Sequence, residues 1–130
     1  DNTEDNILSL IRIYFTKAIK MLCRLEDEGF EPVVILWNLV NEAQTLTQLF
    51  EMQALSGHVD FKALRIWSQK QSLYQNALAR LSHSNMQTIN TALSEADIMF
   101  KSAYVAKPYV VLSHLALLFM PAQISELSLA

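Results

Sequence analysis

The amino-acid sequence predicts an all-α domain, a compact bundle of five to six helices, from three observations. The chain of 130 residues is long enough for one domain with its own core. It contains only two glycines and three prolines, too few to separate the many short strands of a sandwich or barrel. Hydrophobic residues make up 52% of the chain and charged residues 18%, which is opposite to the composition of disordered chains. We therefore expect residues 1–130 to form a single helical domain.

The first half of the chain predicts two helices joined by a tight turn. Apolar residues recur at intervals of three and four residues from about residue 5 to residue 27, which places them on one face of a helix. The pattern stops at Glu28-Gly29, where glycine can adopt the left-handed conformation that ends helices. Pro32 suits the first turn of the next helix, whose apolar stripe continues to about Ala54.

The middle of the chain predicts a loop followed by two shorter helices. Residues 56–60 have loop composition, and Asp60 can cap a short helix that ends at Trp67. A second helix is expected from about Gln69 to Leu81, with apolar residues on one face.

The last part of the chain predicts one long helix and one apolar helix. Ser84 and Gln87 match a capping box, in which two side chains satisfy backbone donors at a helix start. The helix that they open is expected to end near Tyr104. Pro108 then opens a final helix that ends before Pro121.

The net charge of −3 hides an uneven distribution. Residues 1–60 carry ten acidic and four basic residues, a net charge of −6, whereas residues 61–107 carry six basic and two acidic residues, a net charge of +4. An acidic chain is a poor candidate for strong DNA binding on its own. The basic middle could still contact a phosphate backbone if another molecule brought the DNA there.

Other features favour a cytoplasmic protein without membrane association. The single cysteine, Cys23, excludes a disulfide framework within the chain and fits a reducing compartment. The acidic residues 1–5 do not have the pattern of a signal peptide. The longest apolar stretches, Val33–Val40 and Tyr109–Met120, are shorter than the roughly 20 residues that span a bilayer.

The sequence offers no set of catalytic residues, no metal site and no cofactor motif. The three histidines lie far apart, and none has a partner at metal-ligand spacing. His114 is expected to be a packed or hydrogen-bonded residue of its apolar helix and not a ligand, and Cys23 to be a small buried residue. The glycines are isolated, which excludes a glycine-rich phosphate loop. The acidic run at residues 26–28 fits a solvated turn better than a site for a basic partner.

Aromatic and basic residues concentrate between residues 65 and 104. Arg65 and Trp67 precede the predicted helix that begins near Lys70, and Lys101 and Tyr104 close the long helix. Aromatic rings beside basic groups can stack on bases and neutralise phosphates in single-stranded nucleic acid. The competing interpretation is that Trp67 is an ordinary core or helix-packing residue.

An ordered set of short motifs resembles a known family. Glu28-Gly29-Phe30-Glu31-Pro32 precedes a long apolar helix, and Arg65-Ile66-Trp67, Ala77–Ser82 and Lys101 follow it. In their order and spacing, about residues 17–120 resemble the C-terminal domain of the delta subunit of bacterial DNA polymerase III, part of the sliding-clamp loader. The chain departs from the family pattern at Leu10–Phe15, which runs straight on where relatives commonly have a break that contains glycine.

The resemblance implies that the chain is the helical collar, or oligomerisation domain, of a three-domain subunit. In that family two N-terminal ATPase-like domains precede the collar, and the first of them binds and opens the sliding clamp. Both are expected to be absent from this chain. The collar packs against the equivalent domains of the gamma/tau ATPase subunits and of delta-prime in a five-membered ring. The expected function is assembly of the loader that places the sliding clamp on primed DNA, within the DNA-directed DNA polymerase holoenzyme and without catalysis in this domain.

The resemblance also implies contact with primer–template DNA in the assembled complex. Collar aromatics of delta meet the template strand as it leaves the primer duplex, and the matching positions here are Trp67 and Tyr104. Arg65 and Lys101 are the expected phosphate contacts.

A helical ligand-binding or regulatory domain is the alternative. It requires an apolar pocket between helices with a few convergent polar groups.

Overall fold

The described residues, 17 and 20–120 of the computed structural model, form an all-α fold. The helices are α1 (residues 20–27), α2 (Pro32–Ser56), α3 (Ser68–Arg80), α4 (His83–Ser102) and α5 (Pro108–Leu117). No strand occurs in the part of the chain that the structure describes. The predicted fold class and helix count are confirmed. The first part of the predicted N-terminal helix, including Leu10–Phe15, lies outside the described residues.

The turn between α1 and α2 has the predicted chemistry. Gly29 has a φ of 80°, and the amide of Phe30 donates to the carbonyl of Leu25 at 3.0 Å. This left-handed glycine closes the end of α1 as a helix-terminating motif. Pro32 begins α2, where its missing N–H leaves no helical hydrogen bond unmade.

The second helix is the centre of the bundle. It packs against α3, α4 and α5, and α4 also packs against α5. The largest side chains with almost no exposed surface come from α2, α4 and α5, and they are Leu36, Leu49, Ile89 and Leu112. The apolar faces of α2 and α4 supply most of the core, because spacing of three and four residues keeps their apolar side chains on the buried side of each helix.

α2 and α4 run antiparallel. The side-chain amide of Asn90 donates to Thr47 Oγ1 at 3.0 Å, and the rings of His83 and Phe50 lie 5.2 Å apart. The start of α4 is therefore beside the C-terminal half of α2. The end of α4 consequently lies toward the start of α2.

The short helix predicted from Asp60 to Trp67 is wrong, because residues 61–65 form a single turn. Asp60 does accept a hydrogen bond from the amide of Ala63, at 3.2 Å, as a capping residue would. The turn then ends at Arg65, which has a left-handed φ of 58°, and the amide of Ile66 donates back to the carbonyl of Phe61. The side chain of Phe61 is buried and holds this turn against the domain.

The capping box of α4 lies two residues before the predicted one. Ser82 Oγ accepts from the amide of Asn85 at 3.1 Å, and Asn85 Oδ1 accepts from the amide of Ser82 at 2.9 Å. The predicted pair of Ser84 and Gln87 is therefore wrong. The preceding residue, Leu81, is buried in the core, so the chain turns into the helix at once.

None of the helices in the described residues is long and apolar enough to cross a membrane.

Candidate nucleic-acid and protein interface

Trp67 and Arg65 lie in the exposed segment before α3. Trp67 is the N-cap residue of α3, with extended backbone and a side chain that is 73% exposed. The competing interpretation of Trp67 as a core residue is wrong. Arg65 is also exposed, and its left-handed backbone ends the turn that leads to Trp67. Trp67 therefore presents an accessible indole ring two residues from a guanidinium group.

Lys101 and Tyr104 lie at the C-terminal end of α4. Lys101 Nζ contacts Asp97 Oδ2 at 2.9 Å, one helical turn earlier. Tyr104 comes two residues after the end of α4, and its side chain is 91% exposed. An exposed ion pair of this kind contributes little to stability, so Lys101 can exchange its partner at small cost.

The direction of α3 places the pair Arg65 and Trp67 toward the same end of the bundle as the pair Lys101 and Tyr104. Tyr74 in the middle of α3 contacts Glu42 of α2, and His83, the first residue of α4, contacts Phe50 farther along α2. Because α3 ends only three residues before His83, it runs in the same direction as α2 and opposite to α4. Trp67, at the start of α3, is therefore displaced toward the start of α2. The end of α4 lies there as well. No hydrogen bond or ion pair among the described residues joins one pair to the other.

A groove between α2 and α4 contains an aromatic residue that the sequence analysis did not select. Trp37 lies in this groove of about 860 Å³ together with Lys101, and it is 51% exposed. Amide side chains from both helices, including Gln44 and Asn90, also line the groove. Trp37 falls outside the predicted apolar stripe of α2, and a large aromatic residue outside its stripe is the signal that could have identified it.

Exposed apolar side chains concentrate at this end of the molecule. Eleven large apolar side chains of the described residues are exposed. Seven of them come from the start of α2, the end of α4, the start of α5 or the residues that flank these ends. They are Phe30, Val34, Trp37, Ile98, Met99, Tyr104 and Val110. The hydroxyl of Tyr109 donates to the carbonyl of Phe30 at 2.6 Å, which holds the start of α5 beside the turn between α1 and α2.

A smaller apolar pocket lies between α2 and α3. Its volume is about 310 Å³, and its lining includes Leu46, Leu73 and Phe119. Two of the polar groups that line the pocket bind each other, since the hydroxyl of Tyr74 donates to Glu42 Oε2 at 2.6 Å. This volume is at the lower limit for small-molecule sites, and the phenol is already paired. The pocket therefore gives the ligand-binding alternative little support.

Two further sequence expectations are wrong. Cys23 is exposed, because it follows the buried Leu22 by one residue and so points about 100° away from it on the helix. His114 is exposed between the buried Leu112 and Leu115, on the outer face of α5. In residues 17 and 20–120, no group of three histidine, cysteine or acidic side chains is placed to hold a metal ion.

Comparison with known proteins identifies the domain. A protein-family model described as the processivity clamp loader gamma complex DNA pol III C-term matches residues 7–126. The chain is 29% identical over 106 residues to DNA polymerase III subunit delta of Escherichia coli (strain K12), an alignment that covers 78% of this chain and 30% of that protein. The chain thus spans about 30% of the length of this curated relative. No solved structure matches the chain. The match over nearly the whole chain shows that this protein belongs to the family of C-terminal domains of the DNA polymerase III delta subunit.

Proposed function

We propose that this domain assembles with the other subunits of the clamp loader that places the sliding clamp on primed DNA. The proposed partners are the collar domains of the gamma/tau ATPase subunits and of delta-prime, as the family resemblance implies. The observation that supports assembly is the concentration of exposed apolar side chains at one end of the bundle. Large exposed apolar surfaces are costly in a monomer and commonly mark protein interfaces.

The same proposal assigns subunit assembly to this domain and the other activities of the loader to other parts of the complex. This domain joins subunits and contributes no catalysis to the holoenzyme. Contact with the sliding clamp belongs to an N-terminal domain of the delta subunit. A replication role of this kind places the domain in the cytoplasm.

The proposed second role is contact with the template strand. Trp67 and Tyr104 are the proposed stacking residues, because both side chains are highly exposed. The contacts of α3 and α4 with α2 also put the start of α3 and the end of α4 toward the same end of the bundle. Arg65 and Lys101 are the proposed phosphate contacts. Lys101 exchanges its exposed ion pair with Asp97 for a phosphate when DNA is bound.

Mixing this chain with the gamma/tau and delta-prime subunits of the same organism tests assembly. We expect light scattering to detect a discrete complex with the mass of a five-membered assembly. A chain that stays monomeric with all of these subunits present contradicts the proposal. The same measurement on the chain alone gives the reference mass.

Replacing Trp67 and Tyr104 by alanine in the assembled loader tests the template contact. Each lost stacking interaction is expected to weaken binding to primer–template DNA by about 1–3 kcal/mol at a fixed salt concentration. Trp67→Phe should retain most of the affinity, because phenylalanine still stacks. Leu55→Ala is the matched control, since Leu55 is 90% exposed at the other end of α2. Unchanged affinity in the double alanine variant contradicts the stacking role.

A further inference from the structure

The end of the bundle where exposed apolar side chains concentrate contains one part that is acidic. The last turn of α1 and the connection to α2 carry four exposed carboxylates, and exposed apolar side chains lie beside them. We define the acidic apolar face as these seven residues: Glu26, Asp27, Glu28, Phe30, Glu31, Val34 and Val110. Residues 24–34 and 107–110 together contain four acidic residues against two basic ones, Arg24 and Lys107.

A hydrogen bond holds two parts of this face together, the start of α5 and the turn between α1 and α2. The hydrogen bond from Tyr109 to the carbonyl of Phe30 brings the first turn of α5 to the turn between α1 and α2. The partial burial of Tyr109, followed by the charges of Glu26 and Glu31, raises the pKa of its phenol. The carboxylates are therefore close enough to α5 for their field to reach its first turn.

Two of these carboxylates lie at the unfavourable end of a helix. Asp27 is the last helical residue of α1 and Glu28 follows it, so both lie at the negative end of the helix dipole. Within the described residues neither Asp27 nor Glu28 forms an ion pair with a basic side chain. The charges of Asp27 and Glu28 therefore oppose the dipole of α1, and no ion pair in the described residues offsets them. A partner outside the domain can supply the missing positive charge.

The charge of the face also indicates which kind of molecule binds there. Four carboxylates repel a phosphate backbone, so nucleic acid is a poor occupant. A protein surface with lysine and arginine around an apolar centre matches both the charge and the exposed Phe30, Val34 and Val110.

We infer that the acidic apolar face docks a neighbouring clamp-loader subunit through a basic surface with an apolar centre. This inference rests on the proposed assembly function and adds the face and the chemistry of the partner. The aromatic and basic residues Arg65, Trp67, Lys101 and Tyr104 are then left for DNA, because the carboxylates engage protein.

Charge reversal at the end of α1 tests the inference. The double variant Asp27→Lys/Glu28→Lys is expected to weaken assembly with the gamma/tau and delta-prime subunits by about tenfold or more at low salt, and by less at high salt. Its matched control is Glu51→Lys/Glu95→Lys, which makes the same change in net charge on exposed residues of α2 and α4. The control should assemble like the unmodified chain.

Melting of the isolated chain separates binding from folding. Lysine at a helix C-terminus is favourable, so the first double variant should melt at the same temperature or higher while it binds more weakly. Val34→Asp tests the apolar part of the face and should also weaken assembly. Leu55→Asp, an equally drastic change at an exposed site in the last turn of α2, should not.

The outcomes distinguish this inference from the proposed function. If the unmodified chain does not assemble at all, the assembly function fails and this inference fails with it. If the chain assembles and the double variant assembles equally well, only this inference is overturned. It is also overturned if the isolated chain forms a dimer that the double variant dissolves, since the occupant is then a second copy. Weaker assembly with an undiminished melting temperature supports it.

Discussion

At the scale of single residues, Tyr74 shows how one polar contact links two helices. Its hydroxyl donates to Glu42 Oε2 at 2.6 Å and joins α3 to α2. Burial is the largest cause that raises the pKa of Tyr74 to about 12, and the Glu42 carboxylate adds to the effect. The usual pKa of the phenol is 10.0, so the folded state favours the protonated form. This contribution to stability is present below about pH 10 and is lost as the pH rises to about 12.

We predict that Tyr74→Phe abolishes this part of the pH dependence. At pH 7 the variant should lose about 0.5–1.5 kcal/mol of the free energy of unfolding, because a side-chain hydrogen bond is removed. Between pH 10 and 12 the difference from the unmodified chain should shrink, since ionisation of Tyr74 removes the same contact. Urea unfolding at several pH values measures both quantities.

Tyr104→Phe is the control for this titration, because Tyr104 is almost fully exposed and forms no hydrogen bond through its side chain in the described residues. Its stability should match that of the unmodified chain across the range. An ultraviolet titration in which Tyr74 ionises near pH 10 contradicts the proposed coupling.

At the scale of the helices, substitutions at the start of α4 can distinguish the observed capping residue, Ser82, from the predicted one, Ser84. Ser82 and Asn85 exchange hydrogen bonds at this start, whereas the sequence pattern also fits Ser84 with Gln87. We predict that Ser82→Ala destabilises the domain by about 1 kcal/mol, because a backbone donor loses its acceptor. Ser84→Ala should change the free energy of unfolding by less than about 0.5 kcal/mol. Equal effects of the two substitutions in urea unfolding contradict the observed cap.

The helix boundaries that the sequence predicted well are those with local causes. Gly29 and Pro32 act through the backbone of their own turn, so the end of α1 and the start of α2 could be identified without tertiary information. The turn at residues 61–65 could not, because Arg65 has a left-handed backbone without being glycine. The capping box was misplaced because Ser84 with Gln87 matches the usual pattern, whereas the observed box pairs Ser82 with Asn85.

The candidate site was predictable in its chemistry and not in its arrangement. Trp67 and Tyr104, the aromatic residues selected from the sequence, are both exposed, and their stacking role stays a prediction. Trp37 was missed because its place beside Lys101 depends on the antiparallel packing of α2 and α4. The acidic run at residues 26–28 was interpreted as a solvated turn, since nothing in the sequence places the start of α5 beside it.

At the scale of the whole molecule, stability is unevenly shared among the helices. Six residues of α2 are buried, whereas α3 has no fully buried residue. α2 also packs against three other helices, so its opening requires loss of most of the core. α3 is held mainly by partly buried residues such as Tyr74 and Leu78, which allows it to open while the other helices stay packed.

We predict that hydrogen exchange separates these two units. Amides in the middle of α2 should exchange only through global unfolding, and their opening free energy should equal that from urea unfolding. Amides of α3 should exchange with a smaller opening free energy. Tyr74→Phe should lower the opening free energy of α3 further and leave the difference in opening free energy between α2 and α4 unchanged. Mass spectrometry of peptides from residues 36–50 and 68–80 measures the contrast. Equal protection of the two segments contradicts it, and would mean that the segment carrying Trp67 opens only when the whole bundle does.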